Sequence, residues 1–268
     1  MDYIQQAIDK AREEREGHNA PDSNSGKDND HKRATLTYDG VPTINYTKTR
    51  QVHLSEEVLR NNRIIAGFNH DKRAETYRQL RTQVLKKLRA NNWKTLAITS
   101  PSESAGKTVT AVNLAISLSK EVNQTVLLVD LDLASPSVHR VLGIDPESGL
   151  IDHLQGERKI PDILVNPGLE RLVLMLGKPG YDISSEILSA PKMQNLLKDL
   201  TARYESRIII FDVPSLLIND EALIFLPYVD AVLMVLEEGV TTPDELEQSQ
   251  QMLEGTNILG TILNKAEE

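Results

Sequence analysis

From Lys94 onward, short runs of Val, Ile and Leu alternate with segments of helical pattern. The runs are Thr95–Thr99, Thr125–Asp130, Leu172–Leu176, Arg207–Asp212, Ala231–Leu236 and Ile258–Leu263. They are apolar almost throughout rather than at every second residue, so both faces of each strand must be covered. The helical segments are Thr108–Lys120, Leu150–Leu154, Ser185–Tyr204, Asp220–Leu226 and Pro243–Leu253. Strands of this kind, joined by helices, build a mostly parallel, doubly wound α/β sheet with helices on both faces. Ligands of such sheets bind outside the carboxyl ends of the strands.

One strand end carries a recognisable ligand. Leu96-Ala97-Ile98-Thr99 runs into Ser100-Pro101-Ser102-Glu103-Ser104-Ala105-Gly106-Lys107-Thr108, and a helical segment follows. A buried strand, a tight loop and a helix opening on Gly-Lys-Thr form a phosphate cradle of the P-loop NTPase kind. Loop N–H groups and the positive helix end hold phosphate oxygens. Lys107 is placed to reach the β- and γ-phosphates, and the Thr108 hydroxyl to bind Mg²⁺. Pro101 stands where the first glycine of the motif is usual. Two other strands end in carboxylates, one in Asp130-Leu131-Asp132 and one in Asp212-Val213-Pro214, and the last ends in Asn264-Lys265. Mg²⁺ keeps several waters and takes few carboxylates alongside substrate phosphates, so these strand ends suit Mg²⁺ beside a nucleotide. A lone Asp after a strand is usually a turn or cap residue. The set beside a phosphate loop points to nucleotide hydrolysis or transfer.

Composition narrows the choices. The chain has 268 residues and no cysteine, which excludes disulfides, thiolate zinc sites and a thiol nucleophile. Its six histidines show no metal-ligand spacing. A net charge of -9 argues against nucleic acid as a partner. No apolar stretch reaches the roughly 18 residues of a membrane span, and the start lacks a signal peptide's basic and apolar regions. Residues 1–16 read as an amphipathic helix, with Ile4, Ala7, Ile8 and Ala11 on one face. Residues 17–53, rich in Asn, Asp, Ser and Lys, read as a disordered linker. Residues 54–268 read as the P-loop domain, opening with a helical stretch over 54–90.

The ordered motifs resemble a family. Ser-Pro-x-x-x-x-Gly-Lys-Thr with Asn113-Leu114-Ala115, Leu-Leu-Val-Asp-x-Asp with Pro136-Ser137, and Ile-Ile-Ile-Phe-Asp-x-Pro are similar to those of the bacterial tyrosine kinases of polysaccharide synthesis. These are relatives of the cell-division and plasmid-partition ATPases. The opening Met1-Asp2-Tyr3-Ile4 and the run Leu133-Ala134-Ser135-Pro136 resemble the exosortase-associated autokinase branch. The resemblance implies an ATP-dependent protein-tyrosine kinase with Mg²⁺. Ser104, Ala105, Gly106, Lys107, Thr108 and Val109 would hold the phosphates, and Asn264 the adenine. Lys107, Asp130, Asp132 and Asp212 would be catalytic, and Thr108, Asp132 and Asp212 would serve the metal. Glu75-x-x-Arg78-x-x-Arg81 matches a motif that packs neighbouring subunits into rings. A separate membrane chain-length determinant would be the activating partner, holding the chain at the inner face of the cell membrane.

The departures carry information of their own. Ser102 replaces the signature lysine of the partition ATPases and argues for the kinase branch. Ala134 stands where the kinases often have Arg, which favours an ATP-switched regulator without tyrosine transfer as the second reading. The tail beyond Asn264 lacks the kinases' tyrosine cluster, which together with Ala134 favours that second reading and leaves the acceptor tyrosine open. Tyr38 and Tyr46 fall in the expected linker.

Overall fold

The structure is a computed structural model describing residues 35–36, 42–43, 49–179, 187–188, 190–202, 206–218 and 220–266. The expected N-terminal helix over 1–16 lies outside the described residues. In chain order the strands are β1 (Thr35–Leu36), β2 (Pro42–Thr43), β3 (Arg50–Gln51), β4 (Thr95–Thr99), β5 (Thr125–Asp130), β6 (Leu164–Asn166), β7 (Leu172–Met175), β8 (Arg207–Asp212), β9 (Ala231–Glu237) and β10 (Ile258–Asn264). The α-helices are α1 (Glu56–Asn61), α2 (Ala74–Asn91), α3 (Lys107–Ser119), α4 (Val138–Leu142), α5 (Leu150–Gln155), α6 (Pro191–Ala202), α7 (Glu221–Phe225) and α8 (Pro243–Met252).

An eight-stranded sheet runs in the order β10-β9-β4-β8-β5-β7-β6-β3. Every pairing is parallel except β6 with β7. The strand residues divide by parity between two cores, as a pleat requires. Leu96, Ile98, Val126, Leu128, Ile208 and Ile210 face α2 and α3. Ala97, Leu127, Val129, Ile209 and Phe211 face the side of α6 and α7. There Phe211 meets Phe225 edge to face, with centroids 4.8 Å apart. The sheet is therefore covered on both sides, which is why its strands read as unbroken apolar runs.

Three expectations need correction. The helical stretch over 54–90 is two helices. Asn62 caps α1 and Arg63 turns left-handed at φ 59°, after which Ile64 and Ala66 are buried in the first core. The expected linker is ordered at its end, because Arg50 and Gln51 pair with Val165 and Asn166 at the sheet edge. Of the helix expected over Ser185–Tyr204, the described residues hold helical Ile187 and Leu188, a bend at Ala190 and then α6, with proline suiting a first helical position.

Candidate functional site

The chain crosses from β4 to β5 past β8 in one direction, and from β8 to β9 past β4 in the other. The carboxyl ends of β4 and β8 thus mark the point where the winding reverses, the expected place for a ligand. The segment after β8 is stitched to the start of the phosphate loop. Val213 N–H donates to Ile98 O at 3.0 Å, Leu216 N–H to Ser100 O at 2.9 Å and Leu217 N–H to Pro101 O at 3.0 Å. The Thr99 hydroxyl donates to Pro214 O at 2.7 Å.

Pro101 is accommodated because the loop makes its left-handed turns later, at Ser104 (φ 63°) and Gly106 (φ 93°). Gly106 is also the place of closest approach. A Cβ there would stand 2.1 Å from Asn264 Nδ2, which donates to Ala105 O at 2.8 Å. Asn264, from the end of β10, thus reaches the loop backbone. Lys107 and Thr108 open α3, with their side chains near the carboxylates.

The acidic residues divide by burial. Asp130 and Asp212 are register partners on β5 and β8, and both are fully buried. Asp212 Oδ2 accepts the Thr108 hydroxyl at 2.6 Å, while its Oδ1 has no partner. Asp130 Oδ2 accepts the N–H groups of Ser137 and Val138, both at 3.0 Å, and so holds the start of α4. Asp132 stands further out, 3.4 Å from Lys107 Nζ, and its Oδ1 accepts Ser135 N–H at 3.0 Å. Burial pushes the Asp212 carboxyl up to about 7, partly offset by Lys107 and the Thr108 hydroxyl. Burial, then the Asp212 charge, raises Asp130 well above the usual carboxylate range.

Ser104, Gly106, Lys107, Thr108, Val109 and Asp132 line a cavity of about 330 Å³, opposite Arg140 and Ser215. Ala105 is fully buried behind it. Cationic Lys107, the start of a 13-residue helix and loop N–H groups make this cavity suited to phosphates. Mg²⁺ fits the donor set. An orphaned, buried carboxylate oxygen of Asp212 lies beside the Thr108 hydroxyl, and Asp132 stands nearby. Among the described residues no group of three or more His, Cys, Asp and Glu is placed to hold a metal ion.

Sequence reasoning passed over three residues here. Ser137 Oγ lies 2.8 Å from Thr108 Oγ1. Arg140 lines the cavity from α4, only six residues beyond Ala134. Glu221 is buried with Oε2 unpartnered, and its carboxyl is raised by burial and then by Asp132 and Asp220. Pro136-Ser137 stood in a quoted motif, whereas nothing in the sequence set Glu221 apart.

The expected oligomer motif is also divided. Arg78 pairs with Glu75 on the exposed side of α2 at 2.5 Å. Arg81 turns inward, donating to Ser117 O at 3.2 Å and lying 3.1 Å from Glu121.

The model of the CobQ/CobB/MinD/ParA nucleotide binding domain matches residues 96–268. The chain is 29% identical over 214 residues to the succinoglycan biosynthesis transport protein ExoP of Rhizobium meliloti, covering 78% of this chain and 27% of ExoP. It is 24% identical over 204 residues to the putative tyrosine-protein kinase CapB of Staphylococcus aureus, covering 74% of this chain and 88% of CapB. In structure it is similar to the kinase domain of the Escherichia coli tyrosine kinase ETK. The TM-score is 0.69 at 25% identity, covering 87% of this chain and 95% of that one. No helix among the described residues is long and apolar enough to cross a membrane.

Proposed function

Since this chain belongs to the CobQ/CobB/MinD/ParA nucleotide-binding family, we propose that it binds Mg·ATP and transfers the γ-phosphoryl group to protein tyrosine, acting as a regulatory kinase in exopolysaccharide assembly and export. Its similarity to a succinoglycan biosynthesis transport protein and to a putative tyrosine-protein kinase supports that context, and the chain spans 27% of the length of ExoP. The observation that carries the reading is the meeting of Thr108 with Asp212 and of Lys107 with Asp132 at the β4–β8 switch point.

In this reading the loop N–H groups, Lys107 and the start of α3 hold the phosphates. Thr108, Asp132 and Asp212 hold Mg²⁺, which would neutralise phosphate charge as it develops. The bond from the γ-phosphorus to the β-phosphate bridging oxygen breaks, and one to the tyrosine oxygen forms. Asp132, the more open carboxylate, takes the phenolic proton. Asp130 acts by position, fixing α4 and with it Ser137 and Arg140. Asn264 braces the loop through Ala105 O and would hold the adenine. Glu75 and Arg78 offer an exposed charged pair for a ring-forming contact, and a separate membrane chain-length protein is the activating partner.

A second reading, an ATP-driven assembly switch without tyrosine transfer, draws on Ala134, which lines the cavity without a charge. Purified protein incubated with labelled ATP and Mg²⁺, with and without the partner's cytoplasmic segment, tests both. Phosphotyrosine that disappears in Lys107→Met supports the kinase. ADP release without phosphotyrosine supports the switch, and failure to bind nucleotide defeats both.

A further inference from the structure

A second cavity, of about 420 Å³, opens where α5 ends and α6 begins. Its volume lies within the range of small-molecule sites, about 300–1,000 Å³. Arg158, Lys159 and Lys192 line it, with Ile160 and Pro161 as its apolar part and His153 at its side. Three cations meeting at one cavity stand out in a chain of net charge -9. Among the described residues no carboxylate pairs with any of the three.

The nearby carboxylates are engaged elsewhere or lie outside the cavity. Asp152 Oδ2 accepts Gly149 N–H at 2.6 Å, and its Oδ1 lies 3.3 Å from Lys178 Nζ. Asp162 Oδ2 accepts Lys159 N–H at 3.2 Å. Glu157, on the same turn, is exposed and does not line the cavity.

Local geometry holds the cations in place. Gly156 turns left-handed at φ 90°, and a Cβ there would lie 3.1 Å from Lys192 Nζ, so the amine sits over the turn. Lys192 is the second residue of α6, at the positive end of a 12-residue helix. A cation there is disfavoured, and a bound anion would relieve it. The Arg158 guanidinium suits the bidentate recognition of a phosphate. His153 Nδ1 lies 2.9 Å from Arg158 O, which fixes the ring beside the cations.

We propose that this cavity binds the aryl phosphate of a phosphotyrosine side chain carried by another protein chain. The cationic rim takes the phosphate, and Ile160 and Pro161 take the ring. A bare phosphate would leave the apolar part uncovered. The ligand is the product class of the kinase reading, and the proposal rests on that reading only for its origin. A protein that binds what it makes would gather phosphorylated partners at a face other than its nucleotide cavity.

The test titrates the purified chain with a short synthetic phosphotyrosine peptide, followed by fluorescence anisotropy. Phenyl phosphate should compete. The unphosphorylated peptide and a phosphoserine peptide should bind at least tenfold more weakly. The exposed double variant R158A/K192A should lose at least tenfold in peptide affinity while binding Mg·ATP as before. Lys107→Met should bind the peptide like the parent chain, which separates this proposal from the fate of the kinase reading. The proposal is overturned by equal binding of the phosphoserine peptide, by unchanged affinity in R158A/K192A, or by capture on phosphatidylglycerol vesicles that the peptide does not displace.

Discussion

Asn113 is a polar side chain with no exposure, and all of its hydrogen-bonding capacity is used. Its Oδ1 accepts Ile65 N–H at 2.8 Å and Ala66 N–H at 2.9 Å, and its Nδ2 donates to Arg63 O at 3.0 Å and Val109 O at 2.8 Å. One amide thus fastens the chain between α1 and α2 to the first turns of the phosphate-loop helix. Asn113→Ala should leave buried N–H and C=O groups unpaired and cost about 3 kcal/mol, read as a lower urea midpoint. A loss under about 1 kcal/mol would contradict this account. Asp212 makes a prediction in pH. Its carboxyl is raised from 3.8 to about 7 in the fold, so the folded chain holds this proton more tightly than the unfolded one. The resulting stabilisation is complete below pH 4 and is lost as pH rises through about 7, with an upper bound of roughly 4 kcal/mol. In metal-free buffer, Asp212→Asn should flatten the fall in stability between those limits, and parallel curves for the two proteins would refute the assignment. At this scale the sequence motifs named residues that the fold brings together, Thr108 with Asp212 and Lys107 with Asp132. It did not separate buried Asp130 and Asp212 from the more open Asp132, because that difference comes from the neighbouring strands and helices rather than from the local residues.

The helix carrying Glu75, Arg78 and Arg81 shows what an element adds to a motif. Spacing alone put all three on one face of a helix. The packing of α2 on α3 then turned Arg81 toward Ser117 O and Glu121, leaving Glu75 and Arg78 outside. Arg81→Ala removes a half-buried ion pair and a charged hydrogen bond, and should cost about 1–2 kcal/mol in thermal or urea unfolding. Arg78→Ala breaks an exposed pair and should change stability by less than about 0.5 kcal/mol. If the motif serves assembly, that variant should lower the association state in sedimentation. A large stability loss in Arg78→Ala with unaltered association would reverse these roles. The same scale explains the elements that the pattern missed. Strands β3 and β6 have two and three residues, too short for any periodicity to show. Their place in the sheet comes from pairing alone, Arg50 and Gln51 with β6 and Leu164 and Val165 with β7. The long strands were legible because burial on both faces wrote itself as continuous Val, Ile and Leu.

Across the whole molecule the two cores share one sheet, so neither survives the loss of the other. Leu127 and Leu128 are neighbours on β5 and belong to opposite cores, as do Ile209 and Ile210 on β8. Unfolding of the sheet-bearing region should therefore be a single transition. Trp93 is the chain's one tryptophan, and it packs on the first core at the entrance to β4. Its fluorescence should follow the same urea curve as far-UV circular dichroism, which reads both layers. The candidate nucleotide site ties into this unit through β4, β5, β8 and the end of β10. A ligand that binds only the folded chain at one hundred times its dissociation constant adds about 2.7 kcal/mol. Saturating Mg·ATP should thus move both curves together to higher urea, and EDTA should reverse part of the shift. Lys107→Met should show none of it while keeping a single transition. A Trp93 curve that moves apart from the dichroism curve on adding nucleotide would mean that the site stabilises one layer alone, and the shared-sheet account would have to be abandoned.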